Sequence, residues 1–304
     1  MKSFLTIKDC SLQELNELLE LSHSLKKLYK SGKRDLCLSG KVLAMLFEKT
    51  SLRTRVSFQV AMHDLGGFAM YMKPDDIGVI GQREPAKDMA RVLSRYVQGI
   101  MARTFAHETI VELDRWATVP VINALSDWSP PCQAMADIMT IQEHRGQLNG
   151  LKLAYVGDGN NVARSLAFVC AKFGMKFICS SPKNYELDDA AFQVANTIQP
   201  GCAVQNNDPF EAVKDADVIY TDTWVSMGQE SEKAQRIKDF QGFAVDEKLM
   251  AHAPKKALVM HCLPAYRGYE ISDGVAESEN SVIFDEAENR LHFQRALLKY
   301  LMGQ

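Results

Sequence analysis

The strongest constraint on this chain is an alternation that runs through it twice. Short apolar runs of strand length are each followed by a stretch with helical spacing, and after Gly146 to Gly150 the pattern begins again. Consecutive strands separated by helices cannot pair as hairpins. They need crossover connections, which give parallel sheets covered by helices on both faces. The fold class this predicts is α/β, with two domains, each a mainly parallel sheet flanked by helices. A chain of 304 residues is long enough to bury two such cores.

Taken in order, Ser11 to Glu14 forms a Ser-x-x-Glu capping box. Leu12, Leu15, Leu18, Leu19, Leu25 and Leu28 then recur at helical spacing. Lys41 to Leu46 reads as a strand, Val56 to Leu65 as a helix stopped by Gly66-Gly67, and Phe68 to Met72 as a second strand. Lys73 to Arg83 reads as a loop, and Glu84-Pro85 opens a helix through Tyr96. Gly99 to Ala102 is a strand ending at Arg103, His107 to Ala117 a helix, Val119 to Ala124 a strand, and Cys132 to His144 a helix. The second round has strands at Leu153–Val156, Lys176–Ser180, within Ala216–Tyr220, at Ala257–Met260 and at Val282–Phe284. Helices fall after Asn161, before Thr197, and at Glu286–Met302. The domains are therefore expected at 1–147 and 148–304, with the terminal helix 286–302 packing back on the first. Sites at the C-terminal ends of strands in two successive α/β units suggest a cleft between domains.

The stretch Phe47-Glu48-Lys49-Thr50-Ser51-Leu52-Arg53-Thr54-Arg55 sits where the first strand becomes a helix. Ser51 and Thr54 are capping residues, so the helix is expected to begin inside it. A helix N-terminus leaves backbone N–H groups unpaired and carries positive potential. Two arginines and two hydroxyls added there make a site for a doubly charged oxyanion, most naturally phosphate. Gly157-x-Gly159 after a strand lacks the third glycine of a dinucleotide fingerprint, since Val162 stands there, and reads as a tight turn.

Composition narrows the class further. Net charge is -3 with both signs interspersed, which gives no reason to expect a nucleic-acid or anionic-membrane partner. No apolar run approaches about 18 residues, and Met1 to Asp9 has no signal-peptide core. Seven cysteines without a C-x-x-C pair suggest reduced thiols and a cytoplasmic location. No Cys and His cluster has the spacing of a metal site.

Ser51-Leu52-Arg53-Thr54-Arg55 resembles the phosphate-binding signature of the aspartate/ornithine carbamoyltransferase family. Asp222-Thr223-Trp224-Val225-Ser226-Met227-Gly228 resembles the acceptor loop of its ornithine branch, and His261-Cys262-Leu263-Pro264 its His-Cys-Leu-Pro motif. The three lie in register along nearly the whole chain. The resemblance implies transfer of a carbamoyl group from carbamoyl phosphate to the side-chain amine of ornithine, giving citrulline and phosphate. It also implies no cofactor, no metal, and a homotrimer or multiple of trimers. A related amine acceptor, or a catalytically weak ligand-binding homologue, are the other readings it leaves.

Each chemical role has a candidate. For phosphate these are Ser51, Arg53, Thr54 and the Leu52 backbone N–H. Arg103 reaches phosphate and carbonyl oxygen, with Arg290 as second donor to the developing charge. Gln133 and the backbone carbonyls at Cys262 and Leu263 accept from the carbamoyl NH2. The acceptor must attack as a free amine although an alkyl ammonium has a pKa of about 10.4, so Asp222 is the obvious anionic partner; by resemblance Cys262 sits near the same nitrogen and helps orient or deprotonate it. By resemblance Asn161, Asp222, Ser226 and Met227 hold the amino-acid groups, and the polar run Gln229 to Lys233 forms a loop that closes over them. Two positions depart from the family pattern. The usual His-Pro-x-Gln is Pro130-Pro131-Cys132-Gln133, which removes a donor worth roughly 3 kcal/mol, or ~100-fold in rate. Val79 stands where a glutamine is usual.

Overall fold

Every apolar run that the pattern marks as a strand before residue 262 pairs in parallel with its neighbours. The computed structural model describes residues 1–226 and 228–303. The chain divides into two units, Met1–Met139 together with the residues from Glu288 onward, and Thr140–Ala287.

In the first unit, α1 (Leu12–Lys30) opens on the expected capping box, with Ser11 and Glu14 satisfying each other's backbone. Then follow β1 (Val42–Phe47), α2 (Leu52–Asp64), β2 (Phe68–Met72), α3 (Pro74–Ile77), α4 (Ala86–Leu93), β3 (Gly99–Arg103), α5 (His107–Trp116), β4 (Val121–Leu125) and α6 (Pro131–Arg145). The sheet order is β2-β1-β3-β4. β1 and β3 are buried along nearly their whole length, while β2 at the edge is partly exposed. Buried residues of β1, β3 and β4 pack with Met89, Ala90, Ile110 and Leu113 of α4 and α5 into one core. The expected loop at 73–83 contains the short helix α3.

The second unit carries β5 (Lys152–Val156), α7 (Asn161–Lys172), β6 (Lys176–Ser180), α8 (Asp189–Ile198), β7 (Ala203–Gln205), α9 (Pro209–Val213), β8 (Val218–Thr221), α10 (Lys233–Asp239), α11 (Glu247–Met250), β9 (Leu258–His261) and α12 (Asp273–Ala276). α13 (Ile283–Met302) closes the chain, and the division between units falls within α6 and again within α13. The sheet order is β7-β6-β5-β8-β9. The strand expected at Val282–Phe284 does not form. Only a single bridge joins Val259 to Ser281, and the helix begins at Ile283. Val282 and Ile283 are buried, so their apolar character marks core contact rather than strand. The polar run 229–233 is not an open loop either: Glu230–Glu232 is a 3-10 turn leading into α10.

In both sheets the chain reverses direction of growth once, between β1 and β3 and between β5 and β8. Such switch points leave a crevice at the strand C-termini, where ligands of open α/β sheets bind. The segment 48–55 follows β1, and Arg103 ends β3. Gly157 to Asn161 follows β5, and Asp222 follows β8. The topology therefore puts the motifs at the two switch points.

Candidate active site

The first half of the site lies wholly in the first unit. Ser51 caps α2 in extended conformation, its hydroxyl accepting from the Thr54 N–H at 3.3 Å. Parallel register pairs Phe47 with Arg103, and the Glu48 N–H donates to the Arg103 carbonyl at 2.9 Å. Glu48 Oε2 accepts from the Phe105 N–H at 2.8 Å. The ends of β1 and β3 are thereby tied together, with the α2 N-terminus and the buried Arg103 at one end of the sheet. Arg290 of α13 donates through Nη2 to Thr54 Oγ1 at 2.9 Å and through Nη1 to the Gln133 amide oxygen. Gln133 Nε2 in turn donates to Asp137 at 2.8 Å. The amide oxygen expected to face a carbamoyl NH2 thus already accepts from Arg290. Lys49 is held below the ordinary lysine range, first by burial and then by the charge of Arg103. The carboxylates of Asp127 and Glu48 pull the other way, so burial is the main cause of the shift.

The motif's two arginines do not act alike. Arg55 is exposed, its guanidinium 4.0 Å over the Tyr71 ring and its Nε on Gln59. Arg53, the other arginine of the motif, is half-buried. Pro130 is buried, and its carbonyl accepts from the N–H groups of Gln133 and Ala134 at 3.0 and 3.2 Å. It starts α6 and offers no side-chain donor.

The second half lies in the second unit around Asp222, which is 6% exposed. Its Oδ2 accepts from Asn160 Nδ2 at 2.9 Å and its Oδ1 from Cys262 Sγ at 3.1 Å. Asn160 also caps α7, accepting from the N–H groups of Val162 and Ala163, so Asn161 opens the helix. Ser226 is half-buried, its N–H donating to Gln229 Oε1 at 3.0 Å. Met227 lies outside the described residues.

Behind Cys262 is a buried polar network, of which the motif at 261–264 marks only His261. His261 Nδ1 accepts from the Leu263 N–H at 2.9 Å, which places the ring proton on Nε2, toward Glu270 Oε1 at 3.1 Å. The His261 N–H donates to Glu286, whose other oxygen accepts from the Tyr220 hydroxyl at 3.1 Å. Leu263 has φ of +57°, which turns the chain sharply after Cys262. Asn160, His261, Glu270 and Glu286 hold the reactive positions. The available signal for Asn160 was its N-cap location and for His261 its place in the His-Cys-Leu-Pro motif; for Glu270 and Glu286 it was burial, which only the fold supplies.

Among the described residues, Asp222, His261 and Cys262 offer ligand atoms within 4.8 Å of one another. Both imidazole nitrogens are already engaged, so the ring would have to release a partner to bind a metal. The turn after β5 has no room for a dinucleotide at its second glycine. A Cβ on Gly159 would stand 2.1 Å from the Leu187 nitrogen. The Gly159 N–H donates instead to the Tyr185 carbonyl at 2.8 Å.

One unit thus carries a capped helix N-terminus with Arg290 on Thr54, and the other a carboxylate with a thiol and an amide on it. Residues 2–143 match the model of the carbamoyl-P binding domain, and residues 149–301 that of the Asp/Orn binding domain. The chain belongs to the aspartate/ornithine carbamoyltransferase family. Within that family it is similar to ornithine carbamoyltransferases. It is 49% identical over 303 residues to that of Methanocorpusculum labreanum, covering 100% of this chain and 99% of the relative. The solved structure of the Pyrococcus furiosus ornithine carbamoyltransferase superposes with a TM-score of 0.96 at 48% identity, covering 99% and 97% of the two chains. The anabolic enzyme of Campylobacter jejuni superposes at 0.93 and 43%, covering 99% of each.

Proposed function

We propose that this chain transfers the carbamoyl group of carbamoyl phosphate to the side-chain amine of L-ornithine, releasing L-citrulline and phosphate. The observation that carries the reading is the paired occupancy of Asp222: one oxygen takes an amide from Asn160, the other a thiol from Cys262. Each oxygen keeps lone-pair capacity for an ammonium. Held there, the ammonium releases a proton to solvent and becomes a neutral amine, with Cys262 as the neighbouring group that can orient it. The nitrogen lone pair then forms the N–C bond, charge collects on the carbonyl oxygen, and the C–O bond to phosphate breaks. Arg103 and Arg290 face the developing charge, while Ser51, Leu52 N–H, Arg53 and Thr54 receive the phosphate. Asn161, Ser226 and Met227 hold the α-amino and α-carboxyl groups, and the backbone at Cys262 and Leu263 accepts from the carbamoyl nitrogen. Catalysis is positioning and charge stabilisation, with no covalent intermediate.

Citrulline formation from carbamoyl phosphate and ornithine tests this, with lysine, putrescine and N-acetylornithine as parallel acceptors. Turnover with ornithine above all others is the expected result. Turnover with another amine and none with ornithine moves the assignment to that acceptor, and silence with all of them removes the enzymatic reading.

The assembly is a homotrimer or a multiple of one. What supports this is apolar surface on the first unit: Leu52 and Val56 of α2 are 75% and 47% exposed, and Phe68 and Met70 of the edge strand β2 are 61% and 45% exposed. Such a concentration on a soluble chain marks a surface that another subunit covers. None of the seven cysteines is in a disulfide, which suits the reducing cytoplasm.

A further inference from the structure

Arg236 takes no part in the chemistry just described, yet it is 6% exposed. A guanidinium in that position persists only where its N–H groups are met. Its Nη1 donates to the Trp224 carbonyl at 3.0 Å and lies 3.2 Å from Asp158 Oδ2, and its Nε donates to Glu232 Oε2 at 2.8 Å. The guanidinium carbon sits 4.9 Å over the Tyr185 ring. These partners come from separate pieces of the amino-acid half-site. Trp224 leads into Ser226, and Glu232 ends the same segment. Asp158 stands in the β5 turn, two residues before Asn160, which holds Asp222. One side chain fastens both ends of segment 223–232 to the turn that carries Asn160 and Asn161.

We propose that Arg236 is a positioning residue, a latch whose bonds to Asp158 and the Trp224 carbonyl set the acceptor segment in place, so that amino-acid affinity depends on the latch. The inference rests on the ornithine reading only for the identity of the ligand. Asp158 is the member that can let go. Burial raises its pKa to about 6 against the pull of Arg236, with Asp222 and Glu232 adding to the rise. Tyr155 of β5 and Cys179 of β6 also face it, and burial keeps both neutral across this range. As pH falls through about 6, Asp158 becomes neutral and the ion pair with Nη1 weakens to a hydrogen bond without charge on the acceptor.

Two measurements on the intact protein test the latch. Arg236→Gln should raise the ornithine KM by about tenfold or more while the carbamoyl phosphate KM stays within about twofold. A folded variant with an unchanged ornithine KM overturns the proposal. The second measurement needs no acceptor. Amide exchange across 223–232, corrected for the intrinsic rate, should quicken about threefold or more between about pH 7.5 and about pH 5.5 in the wild type. In Asp158→Asn it should be fast at both. An equal pH response in the two proteins overturns the latch. If the wild type forms no citrulline while exchange behaves as stated, the latch stands and the substrate reading fails.

Discussion

Single side chains decide how the two half-sites are charged. Arg290 bridges Thr54 and Gln133, residues from two other elements, so it both shapes the phosphate cradle and adds charge to it. Arg290→Gln is expected to lower kcat/KM about 100-fold, about 2.7 kcal/mol, chiefly through KM for carbamoyl phosphate. Steady-state kinetics in each substrate check this, and a change confined to the ornithine KM would contradict it. Pro130 removes a side-chain donor where α6 begins. Pro130→His should raise kcat, by up to about 100-fold; a variant no faster than the wild type would mean that Arg103 already supplies the charge. The thiols divide the same way. Full burial pushes Cys132 and Cys179 up to about 12 and leaves them inert. Cys262 is only half-buried and touches Asp222.

At the scale of elements, the turns after the strands carry the function, and close packing makes them rigid. Gly159 is fixed by the backbone of Leu187 and Glu186, 2.1 and 2.4 Å from where a Cβ would stand. Gly159→Ala must push the β6–α8 connection away from the β5 turn, and is expected to cost about 3 kcal/mol or more. Denaturant midpoints and ornithine binding should fall together. Asp158 in the same turn gives a pH signature. Its folded pKa, about 6, lies above the ordinary 3.8, so between those values the folded state holds more proton than the unfolded one. Its contribution to stability is therefore most favourable below about 3.8 and declines as pH rises to about 6, by on the order of 3 kcal/mol. Subtracting the Asp158→Asn stability profile from that of the wild type should reveal a fall with rising pH in this window. A flat difference would mean that Arg236 compensates the burial in full.

For the whole molecule, the apolar surface of α2 and β2 is the feature that one chain alone does not use. Phe68→Glu places a charge on it without touching the core, since Phe68 is exposed. Light scattering should show the assembly falling to single chains with circular dichroism unchanged. A multimer that persists in the variant would move the interface elsewhere. Much of this scale was legible beforehand. Buried parallel strands are apolar throughout, so β1, β3, β5, β8 and β9 stood out, and Ser51 announced the start of α2. The short elements β7, α9, α11 and α12 did not. Three to five residues hold no measurable period, and Val282–Phe284 reads as a strand for the same reason.

The sequence by itself determined the alternation of strands and helices, the helix N-terminus at Ser51, and the chemical identity of the groups at strand ends. Those follow from local periodicity and capping, which depend on residues a few places apart. Only the tertiary structure decided which groups meet. Arg290 reaches Thr54 across 236 positions, Asn160 reaches Asp222 across 62, and Cys262 reaches it across 40. It also decided that Arg55 lies on Tyr71, that His261 is oriented by Glu270, and that Arg236 is buried against Asp158. Such pairings arise from sheet order and burial, and no local pattern encodes them.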